Sequence, residues 1–107
     1  MHIPYGLLSP SVSVATAALA APAVGWSLWR VRRQRQERAV PLIGVLGAYI
    51  FAAQMLNFPV AAGTSGHLLG AALAVFTLGP AAAMLVMATV VTIQAVLFQD
   101  GAVTALG

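Results

Sequence analysis

The 107-residue chain has no cysteine, only two acidic residues, Glu37 and Asp100, and only two histidines, His2 and His67. Without cysteine, neither a disulfide framework nor a thiolate metal site is available. Charge is also scarce: 7% of residues are charged against 61% hydrophobic, and the mean hydropathy is +0.94. A water-facing surface needs several times more charge, so the composition argues against a soluble globular domain and makes lipid the expected solvent for most of the chain. The patterns HExxH, CxxC, GxxxxGKS/T and GxSxG do not occur, nor do paired carboxylates, so no hydrolase or ATPase active site is expected and the chain reads as a non-enzyme.

The charge that is present is concentrated. All five basic residues, Arg30, Arg32, Arg33, Arg35 and Arg38, lie between positions 30 and 38, giving a formal net charge of +3. A basic patch that reads nucleic acid needs a polar domain around it, and there is none. A short arginine-rich loop between apolar runs stays on the cytoplasmic side because its translocation is unfavourable. It therefore orients the preceding helix with the amino terminus outside.

The apolar runs predict an all-α integral membrane protein with about four transmembrane helices in one membrane domain, 1–107. Residues 11–29 carry no formal charge and reach roughly 28 Å as a helix, close to the hydrocarbon thickness of a bilayer. Pro22 and Gly25 interrupt this span, which neighbouring helices can tolerate, and Trp26 and Trp29 lie near its end as interface anchors do. The basic charges follow this stretch, so it reads as a retained span and not a signal peptide. After the cytoplasmic basic loop, 30–40, a return span covers 41–58, with Pro41 in the first turn. Gln54 and Asn57, three apart, are expected to share its outer face. A Gly-rich external loop, 59–64, leads into a short third helix, 65–78, with Thr64 or Ser65 as its N-cap. At about 21 Å it either crosses a thin place or stops partway. A fourth span covers 80–98, and 99–107 begins a further external loop. Small residues recur along all of these segments, as close helix packing in lipid requires. The carboxyl end reads as a turn leading onward, so the chain is expected to be the front part of a larger unit.

One short motif carries chemistry. A free terminal amine and the backbone nitrogen of His2 close a five-membered chelate ring on a divalent ion, and Nδ1 of His2 closes a six-membered ring. The three nitrogens lie nearly in a plane, an arrangement suited to Ni²⁺ or Cu²⁺ and less readily to Co²⁺. A fourth corner stays open, and His67 is the one other imidazole. The metal ligands expected are therefore Met1, His2 and His67, with residues 1–10 as the metal-binding segment. Asn57, Thr64, Ser65, Gln94 and Asp100 are candidates for the surrounding polar shell, Asp100 because a carboxylate can orient an imidazole.

The stretches "MHIPYGLLSP", "LNFPVAAGTSGHLLGAALA", "GPAAAMLVMATVVTIQAVLFQDG" and the final "TALG" resemble the substrate-binding membrane component (CbiM/NikM family) of cobalt and nickel transporters of the energy-coupling factor type. The resemblance covers essentially the whole chain, which is similar to the amino-terminal half of that component. It implies a helical bundle of the family's substrate-binding kind and a metal held by the terminal amine, the second residue and a later histidine, which map onto Met1, His2 and His67. Phe58 and Pro59 match the pair before the glycine-rich turn, Gly63 to Gly66. Where family members carry an acidic fifth residue, this chain has Tyr5. The implied function is uptake of Co²⁺ or Ni²⁺ across the cytoplasmic membrane. The implied partners are a transmembrane coupling protein, cytoplasmic ATPase subunits and a small membrane accessory subunit. No resident cofactor is implied, since the ion is the substrate. A second reading is a small structural or accessory membrane subunit that binds no metal.

Overall fold

The computed structural model describes residue 3 and residues 5–34, 39–61 and 64–107, which form four α-helices, a two-stranded ribbon and a short 3₁₀ turn. Helix α1 (Pro10–Arg33) opens on Ser9, whose Oγ accepts from Val12 N at 3.4 Å, with Pro10 in the first turn, where its missing N–H costs nothing. It continues through Pro22 and through both tryptophans, so it outruns the expected 11–29 span by a full turn into the arginines. Helix α2 (Ala39–Met55) stops short of the expected end at residue 58. The chain instead enters strand β1 (Phe58–Ala61), which pairs antiparallel with β2 (Thr64–Gly66). Pro59 disfavours helical backbone at Phe58, which accounts for the early stop.

The region expected to begin a third helix at residue 65 therefore differs. Thr64 and Ser65 lie in β2 and cap no helix; helix α3 (Ala71–Leu78) starts only after Gly70, which sits at φ 75°. Eight residues of helix reach about 12 Å, well short of a hydrocarbon core. Helix α4 (Pro80–Leu97) lies within the stretch 80–98 and is followed by the 3₁₀ turn Val103–Ala105.

Helix α4 packs against α1, α2 and α3, so it is the centre of the arrangement. Its first turn is a run of buried alanines, Ala81, Ala82 and Ala83, which lets neighbouring backbones approach closely. Farther along, Val86 and Val90 meet Ile50 of α2 and Ala74 of α3 in the apolar core. Much of the described surface is apolar. Leu19 is 76% exposed and Phe76 90% exposed, and only Ser27 among the residues of α1 is buried. Such surfaces are stable against lipid tails and aggregation-prone in water. Two helices, α1 and α4, are long and apolar enough to cross a membrane, and α2 is a shorter apolar helix.

Candidate functional site

Both arms that the expected chelate needs are tied to the carboxyl end of α4. On one side, the Gln54 amide of α2 donates from Nε2 to the carbonyl of Leu69 at 2.6 Å, holding the segment that carries His67. The Oε1 of Gln54 accepts from Gln94 Nε2 of α4 at 3.1 Å. Gln54 is 2% exposed and Gln94 fully buried, so these amides are matched where water cannot reach them. On the other side, the carbonyl of Ile3 accepts from Ala102 N at 2.8 Å, and Tyr5 Oη accepts from Val103 N at 3.3 Å.

The turn after α4 brings these groups together. The Gln94 carbonyl accepts from Phe98 N and from Asp100 N, at 3.2 and 3.0 Å. Gln99 then takes φ 53° and Gly101 φ 110°, which reverses the chain so that Ala102 faces residue 3. Gly6, at φ 85°, reverses the amino-terminal segment ahead of α1. Gln94 thus serves both arms, through its side chain toward residue 69 and through its carbonyl toward the segment that binds residue 3.

His67 is partly buried between β2 and Gly70, and its Nδ1 donates to the Leu68 carbonyl at 2.9 Å. That bond holds the ring through Nδ1, the kind of main-chain contact that orients a ligating imidazole. Met1 and His2 lie outside the described residues. Among the described residues no three of His, Cys, Asp and Glu gather around a point.

The remaining candidates separate. Gln94 is at the heart of the buried amide pair, and Asp100 is partly buried in the turn that follows α4. Asn57 is exposed, and because α2 ends at Met55 it does not follow Gln54 onto one helical face. Thr64 and Ser65 contribute backbone to the ribbon, paired with Ala61 and Pro59. The groups that sequence reasoning missed are mostly main-chain: the carbonyls of Ile3 and Leu69 and the amide of Ala102. No side-chain motif marks such atoms. Gln54 and Gln94, single amides in long apolar runs, were the available signal.

A cleft of about 410 Å³ between α2 and α4 is lined by Ile43, Gly44, Gly47, Phe51, Val86 and Val90 among others, with no ionisable group. It offers a metal nothing to bind.

The family model described as the cobalt uptake substrate-specific transmembrane region, CbiM, matches residues 2–107. The chain belongs to the CbiM family. A protein of Archaeoglobus fulgidus ascribed by name to fused nickel transport, NikMN, is 48% identical over all of this chain and 35% of its own length. The cobalt transport protein CbiM of Salmonella typhimurium is 35% identical over all of this chain and 44% of its own length. A crystal structure of a transition metal transporter in truncated form superposes with TM-score 0.88 at 37% identity, covering 99% of this chain and 50% of that one. The chain thus spans about a third to a half of the length of the relatives it matches. The Archaeoglobus and Salmonella relatives are ascribed by name to nickel and to cobalt transport.

Proposed function

We propose that this CbiM-family chain is the front part of a substrate-specific component that binds Co²⁺ or Ni²⁺ and passes it inward across the cytoplasmic membrane. The observation that carries the reading is the joint anchoring of residue 3 and of the His67 segment to the end of α4, through Ala102 and through the Gln54–Gln94 pair. This supports convergence of the terminal amine, the backbone nitrogen and imidazole of His2, and His67 around one ion, with Met1, His2 and His67 as ligands. Asp100, one residue before the Gly101 reversal, is the candidate to orient an imidazole by accepting a hydrogen bond from its ring, as carboxylates do at metal sites.

The chemistry fits the cargo. Nitrogen donors suit late first-row divalent ions, and a chelate that includes a deprotonated amide is planar and selective for ions able to displace that proton. The same proton makes binding reversible, because reprotonation of the amide opens the chelate. Four crossings would put the amino terminus, the ribbon and the end of α4 on the outer side, with Arg30 to Arg38 inside. In this reading the energy for transport comes from partners: a transmembrane coupling protein and cytoplasmic ATPase subunits, with a small membrane accessory subunit.

Titration calorimetry of the purified full-length protein with Ni²⁺ and Co²⁺ tests this. One residue added before Met1, or His67→Ala, abolishes stoichiometric binding if the chelate is as described. Unchanged affinity in both variants overturns the proposal, and absence of stoichiometric metal in the native protein favours an accessory subunit that carries none.

A further inference from the structure

We propose that the carboxyl end of α1 is a binding surface for the headgroup of an anionic phospholipid. Trp26, Trp29, Arg30 and Arg33 fall at i, i+3, i+4 and i+7, so they lie on one face of the helix. The structure stacks them in pairs. The guanidinium carbon of Arg30 lies 5.2 Å from the Trp26 ring centroid, and that of Arg33 lies 4.4 Å from the Trp29 ring. Both indoles are about half exposed, at 49% and 51%, and Arg30, Arg32 and Arg33 are all exposed.

A guanidinium held over a ring can keep its N–H donors for another partner. Cation–π attraction engages the flat face of the guanidinium, whereas its N–H donors point away in the plane of the fork. A phosphodiester oxygen pair is the natural complement of that fork. Because stacking already orders the side chain, less rotamer entropy is lost when the phosphate arrives. The negative end of the helix dipole also favours cations in this turn, but that requires no aromatic rings and no common face.

Depth distinguishes lipid from an acidic protein surface. Indole rings settle at the headgroup level of a bilayer, so guanidinium groups lying directly upon them are held at the height of the phosphates and not out in the aqueous phase. Anionic lipid supplies negative charge at that height, opposite a turn with three arginines. The proposal rests on α1 being a membrane span.

The chain's only two tryptophans are Trp26 and Trp29, so their fluorescence reports this surface alone. The chain is reconstituted into vesicles of equal phosphatidylglycerol and phosphatidylcholine, with bromine quenchers on the acyl chains of one lipid or the other. The expected result is an apparent preference for phosphatidylglycerol of about fivefold or more, falling to about one in Arg30→Gln/Arg33→Gln. The charge-preserving pair Arg30→Lys/Arg33→Lys is expected to retain only part of the preference, and full retention overturns the role of the fork. Equal quenching by both lipids in the native chain overturns the proposal and leaves the arginines to a protein partner. A preference that survives in the glutamine pair overturns its assignment to these residues. Quenching by neither lipid overturns the membrane placement of α1 itself, a failure separate from the loss of selectivity.

Discussion

Replacing Gly70 with alanine tests the architecture that presents His67. Gly70 opens α3 at φ 75°, and a Cβ there would lie 2.6 Å from Cγ2 and 3.2 Å from Cγ1 of Ile50, which is fully buried in the core. Two costs add. The left-handed backbone is unfavourable for alanine by roughly 1–2 kcal/mol, and forcing a methyl into packed surroundings costs about 1–3 kcal/mol. Gly70→Ala should therefore destabilise the protein by about 2–5 kcal/mol, measured by SDS-induced unfolding in mixed micelles. Ile50→Ala alone should cost a similar amount through the cavity it leaves. In the double variant the clashing atoms of Ile50 are gone and the new methyl fills part of the void, so the combined loss should fall short of the sum by about 1–3 kcal/mol. The backbone term stays, so rescue is incomplete. A cost for Gly70→Ala below about 1 kcal/mol, or strict additivity in the pair, would refute the close approach of α2 to the start of α3. Metal titration of the same variants shows whether the turn also places His67, since a displaced imidazole weakens binding even where the fold survives.

Other substitutions probe the two arms. Gln54→Leu removes the donor to the Leu69 carbonyl and the acceptor for Gln94 together; a loss of about 2 kcal/mol is expected in the same unfolding assay, and a loss below about 0.5 kcal/mol would count against this network. Ala102→Pro suits the φ of −79° at that position and deletes the N–H that binds the Ile3 carbonyl. It should weaken Ni²⁺ binding about two- to tenfold, as loss of one anchoring hydrogen bond predicts, and unaltered affinity would mean that this bond does not position the terminus. Tyr5→Phe should weaken binding less than Ala102→Pro, because its 3.3 Å bond to Val103 N is long and its side chain is exposed.

The sequence by itself determined what can be settled one segment at a time. Transfer into lipid is a nearly local quantity, so uncharged runs and a single arginine cluster marked the apolar helices, and Pro10 and Pro80 sit in the first turns of α1 and α4. The expected chelating motif at Met1 and His2 was equally local, although those residues lie outside the described ones. Tertiary structure decided the rest: that 58–66 pairs as a ribbon, that α3 waits until Ala71, that α4 is central, and that Gln94 connects both arms. Helices in lipid have no hydrophobic preference for one another, and small residues lie along every segment, so no pattern in the chain singled out the contacting faces. Only close packing and the matching of a few buried amides choose among them, and the partners of those amides, Leu69 O and Ala102 N among them, are backbone atoms that every residue but proline carries alike.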